Sequence, residues 1–185
     1  QMLDRVLESS GRIKRIVEDL KSFIHKQDDE ALIPVELNQI VESACQLLES
    51  SLQQATENFS CELEQTPILI SGNFQRLEQV VINLLQNACH ALTDKQQSIV
   101  VKTYLDDQNQ PCVQVCDQGC GIPKSDRLKI TNPFYTTKRH EGGTGLGLAI
   151  SKRILQEHSA TLDIDSIEGE GSSFTVCFPA GDLGS

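Results

Sequence analysis

The stretch Asn83-Leu84-Leu85-Gln86-Asn87-Ala88-Cys89-His90-Ala91-Leu92 sets two amides and an imidazole inside an apolar helical pattern. Asn83, Asn87 and His90 fall at i, i+4 and i+7 and project from one helix face, while Leu84, Leu85, Ala88 and Leu92 take the sides that pack inward. An amide oxygen is a neutral ligand that suits Mg²⁺, an ion that keeps several waters and takes few protein ligands when phosphates supply the rest. The competing reading is a set of polar core residues satisfied by backbone, and this helix alone does not choose between them.

The surrounding loops add a second signal. Asp117-Gln118-Gly119-Cys120-Gly121, Gly142-Gly143-Thr144-Gly145-Leu146-Gly147 and Gly169-Glu170-Gly171 each place closely spaced glycines where a strand ends or a helix begins. Backbone must pass very near something there, and glycines ahead of a helix leave N–H groups at the positive end of its dipole, where phosphate oxygens bind. One such loop is weak, since Gly-x-Gly occurs in ordinary turns; three together indicate a nucleotide.

The spacing predicts helices over 37–56, 74–93 and 145–158, strands over 58–64 (Phe59, Cys61 and Leu63 on one face), 68–70, 98–105, 112–116, 160–166 and 173–178, and a hairpin joining the third and fourth strands. Runs of strands with helices between them predict an α+β fold, a two-layer sandwich in which helices cover one face of a mixed sheet. Ahead of it Leu3, Val6, Ile13, Val17, Leu20 and Ile24 form a heptad seam, so a long helix over 1–27 should pair with another helix, in the usual symmetric way within a dimer. The seam is already in register at Gln1 with no N-cap signal, which places its expected helical partner upstream. Pro34 and the acidic run 28–30 put a domain boundary near 30, giving 1–30 as the helical part, 31–180 as the α+β domain and 181–185 as a tail.

A net charge of −10, from 26 acidic and 16 basic residues, offers no basic stripe to nucleic acid or to an anionic membrane. No apolar run of about 18 residues or charged-then-apolar leader is present in this sequence, so the expected location is cytoplasmic, with a membrane-anchored part upstream left open. The seven cysteines form no CxxC pair and are read as reduced, packed residues rather than disulfide or zinc ligands.

In this order and spacing, the opening stretch, Asp117 to Gly121, Pro133-Phe134-Tyr135-Thr136-Thr137-Lys138 and Gly142 to Gly147 resemble the N, G1, F and G2 boxes of the sensor histidine kinases, within the GHKL superfamily and its Bergerat fold. The resemblance covers nearly all of residues 1–180 and implies ATP and Mg²⁺ as cofactors. It implies Asn87 as the Mg²⁺ ligand, with Asn83 and His90 near the phosphates. Asp117 would accept a hydrogen bond from the adenine amino group, with Gly119 and Gly121 letting backbone approach the base. Phe134 and Thr137 belong to the similar F box, and Gly143, Thr144, Gly145, Leu146 and Gly147 to the box that wraps the phosphates. Gly169 to Ser173 resembles the closing turn, with Ser173 at the site. Lys138 either reaches the γ-phosphate or, with Arg139, is solvated lid charge.

Hydrolytic relatives place a glutamate one turn before the Mg²⁺ asparagine as general base; Asn83 stands there and cannot take a proton at neutral pH. The resemblance therefore implies transfer of the γ-phosphate to a histidine, with relay to an aspartate of a response regulator receiver domain; a GHKL ATPase or conformational switch is the alternative. The family's acceptor histidine, followed by an acidic residue on the first helix of a dimeric hairpin, has no match here: His25 precedes Lys26, His140-Glu141 lies in the lid, His158 ends a helix, and His90 faces the nucleotide. The expectation is that this chain binds ATP and does not phosphorylate itself.

Overall fold

The computed structural model describes residues 32–136 and 144–180, so the expected heptad helix, Thr137, Lys138, Arg139, His140 and Gly143 lie outside the described residues. Within them the chain runs β1 (Ile33–Glu36), α1 (Leu37–Leu47), α2 (Glu49–Ala55), β2 (Asn58–Glu62), β3 (Leu69–Gly72), α3 (Phe74–Ala91), β4 (Ser98–Leu105), β5 (Pro111–Asp117), α4 (Gly147–Glu157), β6 (Thr161–Ile167) and β7 (Gly171–Cys177). Five strands form a sheet in the order β2-β4-β5-β7-β6, with β2 parallel to β4 and the other pairs antiparallel. The sheet is mixed, as the element order predicts, and α3 packs against α1, α4 and β5 to build the helical layer.

Alternation explains the layering. Val113, Val115 and Asp117 on β5, and Phe174 and Val176 on β7, are buried on the helix side, whereas Gln114, Cys116, Ser173 and Thr175 stand on the other face. Leu84 and Leu85 of α3 are fully buried with Ile40, Val41 and Ala44 of α1 and Ile99 and Val101 of β4. The α3 amides therefore interrupt an otherwise continuous core contact.

Local boundaries differ from the sequence expectation for physical reasons. The expected helix 37–56 breaks at Leu48, where the backbone leaves helical geometry (φ −101°, ψ 7°). Its start is fixed by Glu36, whose carboxylate accepts from the backbone N–H groups of Asn38 and Gln39, both at 2.9 Å. The segment around Pro34, expected as an extended or turning path, is extended: it forms β1 and pairs antiparallel with β3 from Ile33↔Gly72 to Glu36↔Leu69. A partner more than thirty residues away leaves no local pattern to read. The cysteines also depart from expectation: Cys112 and Cys177, directly opposed across β5 and β7, form a disulfide. Of the free thiols Cys61 and Cys120 are exposed, and Cys45, Cys89 and Cys116 are half-buried.

His158 at the end of α4 ties that helix to the start of α3. Its Nε2 accepts from the Asn73 N–H (3.0 Å) and its Nδ1 contacts the Ile154 carbonyl (2.7 Å), an arrangement that fits only the neutral ring protonated on Nδ1. Asn73 in turn caps α3 by accepting from the Arg76 N–H (3.1 Å). Burial lowers the His158 pKa; the Ile154 carbonyl opposes this, Arg76 adds to it, and Glu157 opposes it. A depressed folded-state pKa means that protons favour the unfolded chain: this contribution is fully present above about pH 6.5 and is lost as pH falls through the folded-state value. Urea unfolding between pH 8 and pH 5 should therefore show a steeper loss of stability for the wild type than for His158→Gln; equal slopes would show that the imidazole does not carry the effect.

Candidate functional site

Two segments meet α3, one towards each end of its polar stripe. At its C-terminal end the Cys120 N–H donates to the Ala91 carbonyl (2.9 Å), and Gly119 lies so close that a Cβ there would sit 2.4 Å from that oxygen. Two turns earlier, Asn83 meets the first turn of α4: its Nδ2 donates to the Gly147 carbonyl and to Ser151 Oγ, each at 3.1 Å, and its Oδ1 accepts from Gln79 (3.0 Å). The eight-residue step from Asn83 to Ala91 spans about 12 Å of helix, and Asn87 lies midway.

The three predicted residues of the α3 stripe have unequal surroundings. Asn83 is buried, Asn87 half-buried and His90 exposed. Asn83 is thus committed to holding α4 in place. Asn87 has a buried Nδ2 without a hydrogen-bond partner among the described residues, which costs about 1–3 kcal/mol unless a ligand or water completes it. That orphan donor fits an acceptor such as a phosphate oxygen, the Oδ1 of the same amide is the atom that could take Mg²⁺, no carboxylate competes on the stripe, and the start of α4 has no side-chain cap, so the residues present fit a Mg²⁺-nucleotide.

Asp117 ends β5 on the helix side, buried, with its Oδ1 accepting from the Gly119 N–H (2.9 Å). Its neighbour across β7 is Ser172, also buried. Ser173, the residue singled out in the sequence, is paired with Cys116 on the opposite face, its hydroxyl 3.5 Å from the Cys116 sulfur. The structure does not bring Ser173 to Asp117; it brings Ser172. Ser166 Oγ accepts from the Ile122 N–H (2.8 Å), donates to the Gly171 carbonyl (2.9 Å) and shares a hydrogen bond with Ser172 (3.0 Å), so this hydroxyl fixes the loop around Asp117.

Glycine at these loops is required by the protein's own backbone. Gly121 has φ +63°, and a Cβ there would lie 2.0 Å from the Ile167 carbonyl oxygen; Gly171, with φ +125°, would press equally on that of Asp117. The Gly169 N–H donates to the Cys120 carbonyl (2.8 Å), so the turn before β7 buttresses the loop after β5. Phe134, exposed and at φ +66°, donates its N–H to the Gly145 carbonyl (2.9 Å), which ties the segment before residue 137 to the segment after residue 143. Thr144 Oγ1 accepts from the Leu146 N–H (3.3 Å), and the buried Leu146 side chain anchors the start of α4 in the core. Tyr135 hydrogen-bonds Asp126, which raises its pKa.

Sequence reasoning missed Ser151, Ser166 and Ser172. The one available signal was Ser151, a polar residue at a core position of the α4 pattern Ala149, Ile150, Ile154, Leu155. The serines at 166 and 172 are identifiable only once the register is known.

Comparison with known proteins agrees with this geometry. A family model described as "Histidine kinase-, DNA gyrase B-, and HSP90-like ATPase" matches residues 72–182. The signal transduction histidine-protein kinase AtoS of Escherichia coli (strain K12) is 33% identical over 179 residues, 97% of this chain and 29% of that protein. Sporulation kinase A of Bacillus subtilis (strain 168) is 31% identical over 176 residues, 95% of this chain and 28% of its own length. The chain therefore spans less than a third of these curated relatives. Among solved structures, a catalytic domain of the histidine kinase ThkA in nucleotide-free form superposes with a TM-score of 0.68 at 30% identity, covering 80% of this chain and 99% of that one.

Two substitutions test the internal roles. Asn83→Ala removes the donor to Gly147 and Ser151 and should lower the unfolding free energy by about 1–3 kcal/mol. Gly121→Ala adds a backbone clash and a left-handed alanine, and should cost more than about 2 kcal/mol. Urea titration of both variants gives these values, and wild-type stability in either would remove the assigned role.

Proposed function

The chain belongs to the family of histidine kinase-, DNA gyrase B- and HSP90-like ATPases, and from that premise we propose that it is the ATP-binding catalytic part of a sensor histidine kinase. The observation that carries the kinase reading is the state of Asn83. At the place where a hydrolytic enzyme needs a base, the amide already donates to Gly147 and Ser151 and cannot remove a proton from water. A bound triphosphate is then preserved for a nucleophile brought from outside, and transfer depends on positioning and charge neutralisation.

Each residue has a part in that reading. The Asp117 carboxylate accepts from the amino group of the base, with Ser172 beside it and the loop fixed by Ser166. The uncapped first turn of α4 directs its N–H groups at phosphate oxygens, supported by Thr144, Gly145 and Gly147. Asn87 holds the Mg²⁺, which would neutralise phosphate charge, and His90 lies at the exposed end of the same stripe. Phe134, Thr137, Lys138 and Gly143 are assigned to the lid by sequence.

The acceptor is a histidine on a helix supplied by another part of the same protein within a homodimer, and the phosphate passes from there to a receiver-domain aspartate. AtoS and sporulation kinase A carry kinase names that agree with this assignment. No helix among the described residues is long and apolar enough to cross a membrane.

The test supplies Mg²⁺ and γ-labelled ATP to this chain and to Asn87→Ala, with a separately added helical hairpin bearing a histidine followed by an acidic residue. Acid-labile label should appear on the hairpin histidine and fall at least about a hundredfold in the variant. Steady release of inorganic phosphate with no labelled protein would instead make the chain a hydrolytic switch.

A further inference from the structure

Away from the cleft, two reduced cysteines face each other between the first helix and the sheet edge. Cys61 lies on β2, an edge strand, opposite the fully buried Val101 and on the same side as Phe59, which places its side chain toward the helical layer. Cys45 comes down from α1, and both Cys45 and Phe59 pack against the core and line a groove of about 480 Å³ between α1, α2 and β2. Glu49 and Glu57 stand on the wall of that groove. We propose that Cys45 and Cys61 form an oxidisable dithiol, a modification site for low-molecular-weight disulfides that carry no net negative charge.

The two thiols are not equivalent. A hydrogen bond with Cys61 is the largest influence holding the Cys45 pKa far above the ordinary thiol value, and the same contact draws the Cys61 pKa down against burial and the charges of Glu42 and Glu62. Cys61 is also the exposed member of the pair. Cys61 is therefore the attacking thiolate and Cys45 the resolving thiol. In the first step the Cys61 sulfur attacks one sulfur of RS–SR, an S–S bond forms between Cys61 and that sulfur, and RS⁻ leaves and takes a proton from solvent. In the second, Cys45 gives its proton to water as its sulfur attacks Cys61 Sγ, the mixed disulfide breaks, and the second RS⁻ leaves. Two protein thiols are oxidised, one disulfide is reduced to two thiols, and α1 becomes cross-linked to the sheet edge. The four carboxylates around the pair and its groove, Glu42, Glu49, Glu57 and Glu62, select against an anionic reagent.

The experiment exposes the folded 185-residue chain to cystamine, a cationic disulfide, and separately to glutathione disulfide, an anionic one. Peptide mapping by mass spectrometry distinguishes a Cys45–Cys61 link from the Cys112–Cys177 bond. The expected result is a Cys45–Cys61 link formed about tenfold or more faster with cystamine. Cys45→Ser should retain a cysteamine adduct on Cys61, whereas Cys61→Ser should leave Cys45 unmodified. Absence of the link in wild-type protein of unchanged circular dichroism would overturn the dithiol. An adduct on Cys45 in Cys61→Ser that forms as fast as the Cys61 adduct in Cys45→Ser would overturn the assignment of roles, and equal rates for the two reagents the charge selection.

Discussion

The bridge from the Asn83 amide to Gly147 and Ser151 sets the distance between the two halves of the cleft. Without it, α3 and α4 would still be joined at their other ends through His158 and Asn73, but the polar stripe and the N–H groups at the start of α4 would lose the hydrogen bonds that set one against the other. A buried amide is an expensive way to join two helices unless all of its hydrogen-bonding capacity is met, and here both donors and the acceptor are occupied. The same commitment removes Asn83 as a candidate proton acceptor. One side chain thereby sets the shape of the site and, in the proposed reading, leaves water there without a base.

The glycines follow a related logic. Read alone, the three Gly-x-Gly loops suggest backbone approaching a ligand. In the structure Gly119 approaches Ala91, Gly121 approaches Ile167, and Gly171 approaches Asp117, so these residues serve the packing of the loops on one another. The two readings are compatible. A loop packed without side chains on its inner surface, with the N–H groups of Gln118, Gly119, Cys120 and Ile122 bonded inside the protein, holds the Asp117 carboxylate in a fixed direction, as recognition of a planar base would require.

Much of this was legible in the sequence. The α3 pattern, the β4–β5 hairpin and the order of strands and helices all follow from periodicities within one element and its immediate turn. What was not legible depended on pairing over distance. β1 meets β3 across the whole of α1, α2 and β2, and Pro34 disguises it as a connection. Cys112 and Cys177 are 65 residues apart and become partners only through the β5–β7 register. The position of Ser173 was hidden in the same way: strand side chains alternate faces, so one residue separates the serine on the Asp117 side of the sheet, Ser172, from Ser173 on the far side. The unequal roles of Asn83 and Asn87 were equally hidden, because helix spacing puts them on one face without showing which amide α4 will occupy.

The central claim is that one nucleotide lies along α3 with its base at Asp117 and its phosphates between Asn87 and the start of α4. Nuclear magnetic resonance of the ¹⁵N-labelled chain, titrated with a non-hydrolysable ATP analogue in the presence and absence of Mg²⁺, tests it most directly. Saturable shifts should appear in the Gly119 and Gly121 amides under both conditions, and in the Asn87 side-chain amide with Mg²⁺ far more than without it. Shifts that spare Asn87 and the Asp117 loop, or an Asn87 response indifferent to Mg²⁺, would contradict the account.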